Sequence, residues 1–322
     1  MTIYLTPIDL LVDEVPVVGY KIRTILKRAE ENIPKNYPAD AFTMSAFYSQ
    51  YHKENGKYVR LIESDLDVYH KPADSIGASV QKELVKINHI RRSINYEENK
   101  EQHGDHLIDL LSENPIRYVV GTVLNSKAFD FYTFKMEEQR LSPERKFYHL
   151  SFLSKPGLMK KTERGEIVIN AETFAVTYIK IIEERNKNAR ADRHPYPGSY
   201  TCGFINGIYE MYFEEHEGRY YPLELFKSYL HELVNNNFHT VDYTVEENFH
   251  LFYNIKSYHE VKDASEKKEF NAVSNLYGMK YSYDKSFWNS FKTKEDHFPF
   301  TDISKDLSIH KALDEQYIEA GK

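Results

Sequence analysis

Hydrophobic and polar positions change period several times along the chain. Residues 2–18 read as extended, with Pro7 and Pro16 confining them to an edge or terminal strand. Ile22, Ile25, Leu26, Ala29 and Ile33 then recur at helical spacing, Lys27 and Glu31 form an i,i+4 pair, and Pro34 stops the run. From Phe42 the period becomes two. Ile62, Leu66 and Val68 alternate with Glu63, Asp65 and Asp67, so 42–51 and 58–69 form a long hairpin about Asn55-Gly56. Further strand signals fall at 129–136, 147–153, 166–170, 173–182, 208–215, 241–244 and 249–257. Residues 222–234 suit a helix by their Leu spacing and a strand by Pro222 and Tyr220-Tyr221. A short helix is expected at 107–111, and Ile303, Leu307, Leu313 and Tyr317 give a charged helical end.

Short loops between successive strands leave no room for crossover helices, so the sheet is expected to be antiparallel. The fold class is α+β: a curved antiparallel sheet, or half-barrel, wrapped on the amphipathic helix at 20–33. Strands 58–69, 129–136, 147–153 and 166–182 are expected side by side. Two polar stretches, 71–105 and 185–203, read as insertions in a domain covering 19–322.

Composition narrows the classes. No run nears eighteen apolar residues, which excludes a transmembrane helix. A net charge of -7 argues against general nucleic-acid binding. One cysteine, Cys202, excludes a disulfide scaffold. Twenty-six Tyr and nineteen Phe against one Trp favour strands and the edges of a core. The first twenty residues carry Asp9, Asp13 and Glu14 with no basic start, unlike a signal peptide, so either the protein stays in the cytoplasm or its export signal lies outside this chain.

Several segments resemble a known family. Ile3-Tyr4-Leu5-Thr6-Pro7 running into Asp13-Glu14-Val15-Pro16-Val17 is similar to the last strand and tether of a carboxypeptidase regulatory-like domain. The run from Ile25 to Pro38 with Phe47-Tyr48, Glu63 and Tyr69, Gly165-Glu166-Ile167-Val168-Ile169-Asn170 with Phe174-Ala175-Val176, and the ending Ile303-Ser304-Lys305-Asp306-Leu307 with Leu313-Asp314-Glu315-Gln316-Tyr317 continue the match. Together they resemble Bacteroidota cell-envelope proteins containing such a domain. The resemblance implies residues 1–18 as a regulatory-domain strand and tether, a sheet on a helix like lipoprotein-carrier (LolA-like) half-barrels, and a periplasmic or outer-membrane setting. It brings no catalytic residues and no cofactor.

Four constellations carry candidate chemistry. His103, Asp105 and His106 offer three metal ligands within four residues, but Gly104 sits between them and no Glu follows the first His as in His-Glu-x-x-His, so a solvated loop is the first reading. Glu63, Asp65 and Asp67 share one face of a strand and read first as a solvent surface paired with lysines. Cys202 near His194 suggests a Cys–His pair only loosely, without an orienting residue. Arg185, Lys187, Arg190 and Arg193 form a basic loop suited to an anion or lipid headgroup. The aromatics Phe129, Phe131, Phe134, Tyr148 and Phe152 are core by base rate, and become ligand contacts if the sheet's mouth is incompletely filled.

The expected function is therefore a non-enzymatic envelope binding or scaffold module. Its partners would be a hydrophobic or lipid ligand, with Arg190 or Arg193 at the entrance, or another envelope protein. The alternatives are a metal-dependent hydrolase using His103, Asp105 and His106, or a thiol enzyme using Cys202.

Overall fold

A computed structural model describes residues 15–71, 83–94, 96, 123–124, 127–140, 146–159, 161–186, 193–196, 198–262, 265–271, 276–291 and 299–321, with backbone alone at 15–20, 137–140 and 146. The chain opens with helix α1 (Val15–Glu31) and a single turn, α2 (Ile33–Asn36). Ile22, Ile25, Leu26 and Ala29 are buried along one side of α1, while Lys21, Arg23, Lys27 and Arg28 face water. Residues 15–18 are thus helical rather than extended. Pro16 is tolerated there because the first helical turn has no partner for its missing N–H. Residues 2–14 lie outside the described residues.

Twelve strands follow in one antiparallel sheet. β1 (Phe42–Glu54) and β2 (Lys57–His70) form the expected hairpin, turning through Asn55 and Gly56 at φ 49° and 81°. The others are β3 (Leu84–Arg92), β4 (Tyr132–Arg140), β5 (Lys146–Ser154), β6 (Lys161–Asn170), β7 (Val176–Arg185), β8 (Arg193–Tyr196), β9 (Tyr200–His216), β10 (Arg219–Asn235), β11 (Thr240–Tyr253) and β12 (His259–Glu260). A helical turn, α3 (Ala128–Phe131), precedes β4. The strand order is β3-β2-β1-β11-β10-β9-β7-β6-β5-β4, with β12 beside β1 and β8 beside β9. The sheet is large and open: its first and last strands do not pair.

Three expectations need correction, and one open alternative is resolved. β2 lies far from β4, because β1 and β11 join the two ends of the chain and place the first hairpin on the opposite flank. Residues 222–234 are strand, since Leu225 and Leu233 are buried against β9 and β11 at period two rather than four. The stretch 71–105 is not all insertion: Val85, Ile87 and Ile90 alternate toward the core as β3, with a bulge restoring their register. Within 185–203, β8 pairs with the start of β9 as a small hairpin.

One face of the sheet carries Met44, Tyr48, Leu66, Val68, Phe249, Leu251, Met211, Ile179, Ile167 and Leu150, which form one core cluster with Ile22, Ile25, Leu26, Ala29 and Ile33. This is the inner face. α2 is fastened to it by Asn36, whose side chain donates to Thr173 O at 2.8 Å, and by Tyr37, whose hydroxyl donates to Val176 O at 2.8 Å. Farther along β1 the inner face turns polar. Tyr48 donates to Gln50 Oε1 at 3.0 Å, which aims the Gln50 amide nitrogen at His52 Nε2, 2.7 Å away. Arg60 points a second donor at that nitrogen from 2.8 Å, so His52 Nε2 acts as acceptor.

The opposite, outer face of β1–β3 is covered by the C-terminal helices α4 (Lys285–Ser290), α5 (Phe300–Leu307) and α6 (Leu313–Ala320). Ile303 and Leu307 bury Tyr51 and Leu61 in a second, smaller cluster. On its way there the chain bridges the free side of β3 through Val85 and Asn271, which satisfies part of an otherwise open strand edge.

Candidate functional site

The outer positions of four strands line up across the sheet. Asp65 on β2 pairs in register with Phe47 on β1, Phe47 with Phe252 on β11, and Phe252 with Glu224 on β10. The Phe47 and Phe252 rings stack at 6.5 Å and 19°, and Phe291, arriving from the C-terminal segment, sits 5.2 Å from Phe47. Trp288 of α4 is buried against both Phe47 and Phe291, at 6.5 Å and 5.5 Å.

Between these rings and the neighbouring strand ends lies an open cavity of ≈ 480 Å³. Its walls are Phe47, Phe252, Phe291, Leu223 and Ile255, and its polar groups are Ser45, Asp65, Glu214, Asn254 and Lys256. Such a size and an apolar lining with few polar groups suit a small molecule. The rim is fixed by a short clasp. The Ile255–Ser257 turn is capped by Asn254, whose side chain accepts from Lys256 N at 3.2 Å, and Ser257 Oγ accepts from Ser45 N at 2.8 Å. Ser45 in turn donates to Asp67 Oδ1 at 2.7 Å. Burial pushes the Asp65 carboxyl above the ordinary range and Asp67 adds to this, against the opposing pull of His89 and Asn88. Two carboxylates face one ammonium around the mouth, so the rim is net acidic.

The residues singled out in the sequence lie elsewhere. Phe129, Phe134 and Phe152 form an inner-face cluster with Tyr132, with Phe129 to Phe134 at 4.8 Å and Phe134 to Phe152 at 6.1 Å. α1 lies against them: the Arg23 guanidinium is 4.0 Å from the Phe129 ring and Lys21 Nζ is 5.9 Å from Tyr148. Phe131 points outward and is exposed. Arg193 on β8 reaches Glu232 Oε1 at 3.5 Å, and Arg185 holds the same carboxylate more closely. Their guanidinium groups hold the Glu232 carboxyl below its ordinary value. Arg190, Lys187, His103, Asp105 and His106 lie outside the described residues.

Cys202 stands directly opposite His194 in the β8–β9 register, but burial pushes its thiol up, and the Glu247 and Glu232 carboxylates add to the shift. Such a thiol stays protonated near neutral pH. Among the described residues, no three His, Cys, Asp or Glu side chains gather where they could hold a metal. The acidic trio of β2 is not the lysine-paired solvent surface expected from alternation. Glu63 is buried and bonded to Arg91 at 2.6 Å, because the C-terminal helices cover that face.

The cavity residues Phe47, Leu223, Phe252 and Phe291 were missed by alternation. The signal was the run Ala46-Phe47-Tyr48, where consecutive large side chains break the period of two and mark a strand covered on both faces.

No protein-family model matches the chain, and no curated protein does. Several solved structures match the chain, three of them as follows. A DUF1329 family protein from Desulfovibrio piger matches at TM-score 0.27 with 12% identity, over 74% of this chain and 94% of its own. An outer membrane lipoprotein-sorting protein domain from Vibrio parahaemolyticus matches at TM-score 0.28 with 8% identity, over 76% and 95%. Lipovitellin, in a structure describing lipid–protein interactions, matches at TM-score 0.29 with 9% identity, over 74% of this chain and 27% of its own. Likeness at this level carries no inference about what this chain does.

Proposed function

We propose that this chain is a non-enzymatic binding module of the cell envelope, a half-barrel seated on α1 that takes an apolar small molecule into the outer-face cavity. The observation that carries the reading is the ≈ 480 Å³ space walled by Phe47, Phe252, Phe291 and Leu223. Apolar walls left open to water are costly, and a ligand that fills them recovers that cost. Of the inner aromatics expected from the sequence, Phe129 and Tyr148 lie against Arg23 and Lys21 of α1, and in this reading the ligand lies on the opposite face. The envelope setting rests on the sequence resemblance alone. Arg193 is tied to Glu232 and does not line the cavity, so it has no part in holding the ligand.

Nile red, a neutral apolar dye, provides the test. Its fluorescence should rise on mixing with the protein, and Leu223→Asp or Phe252→Asp should weaken its binding about tenfold by placing a charge in the apolar wall. Equal binding by wild type and both variants, with thermal unfolding unchanged, would show that the cavity is not the site.

A further inference from the structure

The charge around the outer-face cavity is not balanced from within the fold. Asp65 of β2 and Glu214 of β9 bring carboxylates to its lining, and the only cation in that lining among the described residues is the exposed Lys256. Asp67, on the same face of β2, accepts from the Ser45 hydroxyl at 2.7 Å and the Asn88 amide at 3.2 Å. Both are neutral donors, so Asp67 keeps its charge and adds to the negative side. Neighbouring ammonium groups on this face are engaged: Lys86 with Glu269 and Lys180 with Glu210, each at 2.5 Å. Arg91, behind Trp288, is bonded to Glu63.

Asp65 is the sharper case. It is half-buried and faces His89 across the β2–β3 register, with the His89 ring stacked on Phe287 at 3.7 Å. Burial raises its carboxyl above the ordinary range and Asp67 adds to the rise, while His89 and Asn88 oppose without cancelling it. The carboxylate has lost water without gaining a full counter-charge.

The aromatic walls supply the matching half. Elsewhere the chain covers ring faces with its own cations, Arg23 at 4.0 Å from Phe129, Arg28 at 5.2 Å from Phe174 and Lys161 at 3.9 Å from Phe204. Among the described residues no cation stands over Phe47 or Phe291, whose rings line the cavity 5.2 Å apart at 42°. Ring faces beside an under-compensated carboxylate attract an ammonium from two sides. A neutral guest would strip the remaining water from Asp65 and put nothing in its place, and an anion would be repelled by Asp65 and Glu214 together.

We propose that the ligand of this cavity is an organic cation, an apolar molecule bearing one ammonium group, with Asp65 as its counter-ion. The proposal rests on the cavity reading above and adds the sign of the ligand's charge. Three soluble probes of similar skeleton separate the signs: phenethylammonium, 2-phenylethanol and phenylacetate. Each is titrated against the full chain by ligand-observed NMR near neutral pH, in about 0.15 M salt to screen exposed charges. Phenethylammonium should bind about tenfold tighter than the alcohol and should displace Nile red, with phenylacetate weakest. Asp65→Asn should bring the amine down to the affinity of the alcohol and leave the alcohol unchanged, and Glu214→Gln, at the exposed rim, should cost the amine about twofold.

Alcohol binding as tight as that of the amine, or an amine advantage that survives in Asp65→Asn, overturns the proposal; Nile red binding in the same sample would leave the cavity reading standing. If neither Nile red nor any of the three probes binds, both fall. Should Asp65→Asn fail to fold, the order of the three probes on wild type and their response to Glu214→Gln decide the outcome.

Discussion

Arg91 on β3 and Glu63 on β2 face each other in register, Nε to Oε2 at 2.6 Å, beneath the C-terminal helices. The guanidinium also lies 4.3 Å from the Trp288 ring and 5.2 Å from Tyr317, so one half-buried cation ties the sheet to both α4 and α6. Removing one partner leaves the other's charge buried without compensation. Arg91→Met should cost about 3–5 kcal/mol, and adding Glu63→Gln should recover part of the loss. Urea unfolding of the two single variants and the double variant reads the coupling; strictly additive losses would rule the pair out as a unit.

Leu26 is 3% exposed, on the buried side of α1 within the main cluster. Leu26→Ala should cost about 2–5 kcal/mol through the cavity it leaves. A loss near zero in chemical denaturation would mean that α1 is not integral to the core.

Gly165 on β6 lies beneath the Phe152 ring. A Cβ there would stand 2.0 Å from the Lys180 carbonyl oxygen and 2.5 Å from Phe152 Cζ, and a backbone atom cannot swing aside. Gly165→Ala should therefore cost about 3 kcal/mol or more. At Gly56 a Cβ meets open space, and only its φ of 81° resists substitution, so Gly56→Ala should cost about 1–2 kcal/mol. Comparing the two melting temperatures separates crowding from backbone conformation.

Stability should fall in mild acid. His70 is buried, stacked on Phe42 at 4.5 Å, and burial brings its imidazole down from 6.5 to about 3. Glu83 Oε1 is 3.9 Å from Nδ1, too far for a hydrogen bond that would hold the charged form. The unfolded chain therefore binds a proton that the folded chain refuses. This contribution is intact above pH 6.5 and drains away toward pH 3, by at most about 1.4 kcal/mol per pH unit. Urea midpoints from pH 7 to pH 4 should drop less steeply in His70→Gln than in wild type, and parallel slopes would exclude His70 as the source.

Much of the sheet was legible from alternation. Ile62, Leu66 and Val68 fixed the face of β2, and Asn55-Gly56 fixed the first turn. Strand order was not legible, because the pairing of β1 with β11 is set by partners distant in sequence that no local pattern encodes. The cavity was hidden for the same reason. Phe47 and Phe252 are neighbours only through that pairing, and Phe291 reaches them only after the C-terminal segment has crossed β3.

The seam between β1 and β11 also sets a schedule for synthesis. Ala46 waits for Tyr253, about two hundred residues later, before its strand gains a second neighbour. During translation β1 to β3 therefore emerge as a small ribbon with an uncovered edge and an unfilled apolar side. Completion of the sheet waits for β11, and until then the ribbon's open edge is free to pair with another nascent chain.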